Sequence, residues 1–216
     1  MAKLKVGVLI SGRGSNMAAL IRAAEAADYP AEIACVLSNV ASAPGLAIAS
    51  QAGIVTTVVS HRGFPDRESF DRAVSGELAK QGVELVALAG FMRIFSPWFP
   101  RQWTDRVVNI HPSLLPAFKG LHVQRQAIDA GARISGCTVH FVTPELDAGP
   151  IIAQAAVRVV PGDTEETLAA RVLAEEHRLY PLALRLVCEG KARLDGEVVH
   201  HRLTWRGDEA LFAPPH

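Results

Sequence analysis

Lys5-Val-Gly-Val-Leu-Ile-Ser-Gly-Arg-Gly-Ser-Asn16 is the stretch on which the fold turns. Five apolar or small residues after Lys5 form a run too short for a helix and too apolar for a half-exposed strand. Such a run reads as a strand covered on both faces. Ser11 to Asn16 then turns the chain through Gly12 and Gly14, and a helical pattern begins at Ser15. A strand that feeds a helix through a glycine-rich turn is the opening of a βαβ unit. The turn exposes backbone N–H groups beside a helix start, where the partial positive charge favours an anion. It is not a G-x-G-x-x-G fingerprint, because Met17 follows Asn16, and no Lys-Ser/Thr pair makes it a P-loop. Two readings stay open at this point, a phosphate cradle and a purely structural turn.

Working outward, the same alternation recurs. Strands are expected at 5–10, 32–38, 55–59, 85–89 and 107–110, with helices at 15–27, 45–52, 66–81 and 97–102. This predicts right-handed crossovers and a mostly parallel sheet with helices on both faces. After Pro112 the pattern changes. A helix at 122–130 leads to strands at 136–142 and 151–157 around a polar turn at 145–149, which predicts an antiparallel C-terminal portion. A long helix at 164–188 follows, with Asp163 and Glu166 spaced as a capping box. The last twenty or so residues predict a short strand pair and a loose tail. The 216 residues suit one domain, divided into 1–110, 111–190 and a 191–216 appendage.

The 22 basic residues balance the 22 acidic ones, so no broad basic surface invites nucleic acid. No stretch approaches the roughly 20 apolar residues of a membrane span, and the N-terminal run is too short for a signal peptide. Cys35, Cys137 and Cys188 are far apart and odd in number, which predicts reduced thiols in a cytoplasmic protein. His122 and His140 lack metal-ligand spacing, and no metal is expected.

Three further places can carry chemistry. Asn109 and His111 are two apart at the end of a strand and share a face, where Pro112 stops the strand. An amide beside an imidazole suits a developing oxyanion and proton movement, although a buried His bonded to a loop carbonyl has the same signature. Asp147 stands among turn-forming residues. It reads as a cap for backbone N–H groups or as the carboxylate that orients His111. Glu176 lies amid Ala169, Val172, Leu173, Tyr180, Ala183 and Val187 on one helical face. A carboxylate there must pair, as with an internal arginine, or hydrogen-bond, or reach a ligand, because burying it alone is costly.

Together these segments resemble the glycinamide ribonucleotide formyltransferases, a branch of the folate-dependent formyltransferases. The resemblance runs from Val6 to about Leu186 through Ser11 to Asn16, Ala89-Gly-Phe-Met-Arg-Ile94, Asn109-Ile-His-Pro-Ser-Leu-Leu-Pro116, Val139-His-Phe-Val142, Glu145-Leu-Asp147 and Gly149-Pro150. It implies a Rossmann-like formyltransferase fold and direct formyl transfer from 10-formyltetrahydrofolate to the ribonucleotide amine. Asn109, His111 and Asp147 correspond to the catalytic trio. Gly14, Ser15, Asn16 and Arg67 would hold the substrate phosphate, and Glu176 the ribose hydroxyls. Met92, Arg93, Ile94 and Phe95 would line the pterin pocket opposite Val142 to Asp147. The family often has Leu where this chain has Phe95, which implies a differently shaped pocket wall at that position. Partners would be small molecules only, for a monomer or homodimer.

Formyltetrahydrofolate hydrolases and methionyl-tRNA formyltransferases share the trio. The first is expected to carry an N-terminal regulatory domain and the second a C-terminal nucleic-acid-binding domain. Sugar-nucleotide formyltransferases fit Ser15-Asn16 less well. A non-catalytic nucleotide-binding module would use the glycine-rich loop alone and would not require Asn109, His111 and Asp147 to meet.

Overall fold

In the computed structural model, which describes residues 2–202, the opening run forms strand β1 (Leu4–Ile10), with its last five residues fully buried. Strands β2 (Ala31–Ser38), β3 (Val55–Val58), β4 (Leu85–Leu88) and β5 (Val107–His111) pair in parallel around it. Strands β6 (Ile134–Phe141) and β7 (Ile151–Arg158) continue the sheet antiparallel. The order is β3-β2-β1-β4-β5-β6-β7. The chain therefore leaves β1 for one side and returns for the other between β1 and β4, the switch point where open α/β sheets leave a crevice at their C-terminal edge.

Helices α1 (Ser15–Ala24), α2 (Pro44–Gln51), α3 (Arg67–Lys80), α4 (Trp98–Gln102), α5 (Val123–Asp129) and α6 (Glu165–Cys188) cover the sheet. One core joins α1 and α6 through Val8, Ile10, Leu20, Val139, Val172 and Leu184. The other joins α3 and α4 through Leu9, Leu37, Phe70, Leu78, Val86 and Phe99. Alternate residues of β1 serve opposite cores, as a strand buried on both faces requires. The elements thus match the expected alternation, with shifts of one to three residues at their ends.

Two expectations need correction. The cap of α6 is Thr164, whose hydroxyl accepts from the Thr167 N–H while the Thr167 hydroxyl accepts from the Thr164 N–H. Asp163 is engaged elsewhere, accepting from the Val160 N–H and from both terminal nitrogens of Arg171. The buried stripe of α6 is also broader than expected. Leu168, Leu179, Leu184 and Leu186 belong to it, while Ala169, Leu173 and Val187 lie at its margin.

The appended strand pair is β8 (Ala192–Asp195) with β9 (Val198–His201), a separate antiparallel ribbon within the 191–216 appendage. The predicted tail falls outside the described residues. Among the described residues no helix is long and apolar enough to cross a membrane.

Candidate active site

The C-terminal ends of β1, β4 and β5 place Ser11, Gly90 and Asn109 to His111 along one edge. Over the β4–β5 part of that edge opens a cavity of about 680 Å³. Its lining includes Met92, Arg93, Ile94, Phe95, Asn109, His111, Val142 and Asp147, residues singled out above.

The wall at 90–96 is shaped by alternation. Phe91 and Phe95 turn inward to stack, Phe95 on Phe91 at 5.2 Å and on Phe99 at 4.0 Å between ring centroids. Met92 and Ile94 are left outward, 71% and 57% exposed, to offer apolar surface to a ligand. Ser96 anchors the end of the wall, donating from its N–H and its hydroxyl to Asp71 at 2.7 and 2.6 Å. Burial raises the Asp71 carboxyl above its usual range, and these bonds oppose that rise.

Asn109 and His111 share the cavity face, as their spacing requires. His111 is buried, and its Nε2 lies 3.0 Å from the Phe118 carbonyl, which only accepts, so that nitrogen carries a proton. Its Nδ1 faces the Asp147 carboxylate at 3.5 Å. The ring is thus held between a main-chain carbonyl on one side and a carboxylate on the other. Asp147 also accepts from the Gly120 N–H at 2.9 Å, so it both caps backbone and faces the histidine. It adopts a left-handed φ of 47°, which Asp tolerates better than most side chains. Phe118 and His122, with φ of 55° and 54°, share this rare conformation near the same site.

Sequence reasoning weighed His140 only as a metal ligand. It lies directly across from Asn109 in the β5–β6 register. Its Nδ1 is 2.8 Å from the Phe141 carbonyl and its Nε2 is 3.2 Å from Asn109 Nδ2. The carbonyl fixes the proton on Nδ1, so Nε2 accepts from the amide and sets which way Asn109 points. Burial lowers the His140 pKa below its usual value, with the charges of His111 and Lys119 acting in the same sense. The Phe141 bond and Asp147 oppose them, and the ring stays a neutral acceptor in neutral solution. Only the register across two strands could have signalled this.

Gly14, Ser15 and Asn16 lie outside the cavity lining, at the start of α1. Gly14 takes φ 72° as the residue before the helix, and no side chain caps that end. The first N–H groups of the helix are thus left for an anion. Asn16 Nδ2 donates to Glu176 at 2.7 Å, and no arginine is needed to explain that buried carboxylate. Tyr180, one turn further along α6, donates its hydroxyl toward the carbonyls of Leu88 and Val108, pinning the helix over the same edge. Burial raises the Glu176 carboxyl above its usual range. The Asn16 bond and the nearby His111 oppose the shift, which places Glu176 within electrostatic reach of the trio. Asn16 Oδ1 is buried without a partner. Arg67 is exposed in the first turn of α3, and no hydrogen bond joins it to Gly14, Ser15 or Asn16. Among the described residues no three His, Cys, Asp or Glu gather as metal ligands would.

A family profile described as Formyl transferase matches residues 4–184. The phosphoribosylglycinamide formyltransferase of Escherichia coli K12 is 42% identical over 98% of this chain and 97% of its own. The trifunctional purine biosynthetic protein adenosine-3 of Drosophila pseudoobscura is 52% identical over 90% of this chain, which spans only 14% of that longer protein. Among solved structures, glycinamide ribonucleotide transformylase 1 from Symbiobacterium toebii superposes with a TM-score of 0.90 at 46% identity, covering 92% of this chain and 94% of the other. With a profile match over most of its length and a full-length relative this similar, the chain belongs to the formyl transferase family, among the phosphoribosylglycinamide formyltransferases.

Proposed function

We propose that this chain transfers the formyl group of 10-formyltetrahydrofolate to the amine of glycinamide ribonucleotide by direct attack. The observation that carries the reading is the convergence of Asn109, His111 and Asp147 on one apolar-walled cavity. A nucleotide-binding module has no use for that convergence. The pterin would lie against Met92, Arg93, Ile94 and Phe95, opposite Val142 and Asp147. The phosphate would rest on the amides of Gly14, Ser15 and Asn16, with Arg67 supplying charge from α3, and Glu176 would take the ribose hydroxyls.

The amine adds to the formyl carbon, and the carbonyl oxygen becomes an oxyanion. Asn109 spends one amide hydrogen on His140 and keeps the other for that oxygen. His111 would supply positive charge in its protonated form. Its 3.5 Å separation from Asp147 is looser than a charged hydrogen bond of about 2.8 Å, so a formyl oxygen or a water can share the pair. Through such a water the proton lost by the amine reaches the folate nitrogen as the C–N bond to the carrier breaks. No covalent link to the enzyme forms. The purine pathway sets the expected compartment, the cytoplasm.

The test is a formyl-transfer assay with purified protein, both substrates and a control lacking the amine. Formylated ribonucleotide and tetrahydrofolate should appear in equal amounts. Donor breakdown at the same rate without amine would make the protein a hydrolase instead.

A further inference from the structure

We infer that Ser11 is a positioning residue that sets the folate wall from within the ribonucleotide loop, an inference that rests on the substrate assignment above. The β1–β4 ladder ends where the Ala89 N–H donates to the Leu9 carbonyl and the Ser11 N–H to the Gly90 carbonyl. Gly90 then takes φ 79° and turns the wall away from β1, beyond the reach of backbone pairing. The Ser11 side chain continues the ladder. Its Oγ accepts from the Met92 N–H at 2.8 Å and donates to Asn39 Oδ1 at 2.6 Å. Asn39 is buried at the end of β2, so it holds the hydroxyl hydrogen away from Met92 and presents a lone pair to the amide.

Met92 lines the cavity and is 71% exposed, so little of its side chain is buried to fix it. Its main chain is held at this one side-chain bond, while Asp71 holds the far end of the wall through Ser96. Ser11 opens the loop, and at the next residue the Gly12 carbonyl accepts from the Gly45 N–H. A shift of Ser11 therefore moves the acceptor loop and the donor wall together. Ser11 does not itself line the cavity, and it acts through Met92.

The experiment compares the wild-type protein, Ser11→Ala and Ser11→Thr. Tetrahydrofolate, the unreactive product, is titrated by calorimetry, with KM for both substrates, kcat and the melting temperature read alongside. Loss of one net hydrogen bond predicts tetrahydrofolate binding weaker by about three- to tenfold in Ser11→Ala. KM for the donor should rise by a similar factor with kcat changed by less than about twofold. Ser11→Thr keeps the oxygen and should restore binding. A lower melting temperature with unchanged tetrahydrofolate affinity in Ser11→Ala would overturn the inference, as would equal impairment of both variants. Failure of the wild-type protein to bind tetrahydrofolate would instead overturn the substrate assignment.

Discussion

The β1–α1 loop and the β5–β6 side of the cavity lie along one sheet edge but are built from different materials. At the loop, Gly14 and the uncapped start of α1 present main-chain N–H groups, and the side chains chiefly permit the shape. On the other side, imidazole, amide and carboxylate from Asn109, His111, His140 and Asp147 meet across two strands and a turn. Under the proposed function the first site would bind through shape and backbone dipoles, so damage there should appear in KM. The second would act through groups whose charge changes during reaction, so damage there should appear in kcat.

The sharpest break in this contrast is His111→Ala. It removes the imidazole from the cavity and leaves Asp147 with only the Gly120 N–H among its contacts described above. We expect kcat to fall by a factor on the order of hundreds or more, the usual scale for losing proton transfer and oxyanion support together. KM for the ribonucleotide should change little. A near-normal kcat, measured in the formyl-transfer assay, would remove His111 from the mechanism.

The same contrast decides what was legible in the sequence. Strands β1 to β5 were readable because burial on both faces leaves short, unbroken apolar runs between turn residues. Asn109 and His111 were readable because a two-residue spacing at a strand end fixes a common face. The link from His111 to Asp147 was not, because it depends on the turn after β6 bringing a left-handed Asp back over β5. Nor were the Phe118 carbonyl and the Gly120 N–H, since main-chain groups carry no residue-type signature. Glu176 announced itself as a misplaced carboxylate, but its partner Asn16 is 160 positions away and only the packing of α1 on α6 supplies it. The helix cap was misread for a local reason. Asp163 and Thr164 are both good caps, and Arg171 decides between them by taking the carboxylate.

The loop side is tested next by glycines whose roles the structure separates. A Cβ on Gly45 would lie 3.1 Å from both the Gly12 carbonyl oxygen and the Gly14 Cα, and 2.6 Å from an Ile10 methyl. The methyl can rotate away, but the backbone contacts cannot give without moving the loop. A Cβ on Gly12 meets nothing within 4 Å. Gly45→Ala should therefore raise KM for the ribonucleotide on the order of tenfold, the scale of a modest backbone strain, with kcat preserved. Gly12→Ala should do much less. Equal effects from the two, read in steady-state kinetics, would show that the loop is not shaped by its contact with α2.

Glu176→Gln is the smallest change in structure and the one that joins both regions. Burial raises the folded pKa of Glu176 above the unfolded carboxyl value, so ionisation opposes folding. The native state holds its full advantage below the unfolded pKa of about 4.3 and loses part of it as pH rises through the folded value. A glutamine keeps the acceptor for Asn16 Nδ2 and adds an N–H that can turn toward the unpaired Asn16 Oδ1. At pH 8 the variant should melt higher than the wild-type protein, by about 2–4 °C for each 1 kcal/mol gained in a domain of this size. The gain should shrink as pH falls toward 4. The same substitution should weaken ribonucleotide binding about tenfold, because a neutral amide makes poorer hydrogen bonds to ribose hydroxyls than a carboxylate does. A carboxylate that costs stability and improves binding is a ligand group. Thermal melts across pH would instead assign Glu176 a structural role if the glutamine variant melted lower at pH 8 while binding the ribonucleotide as well as the wild-type protein does.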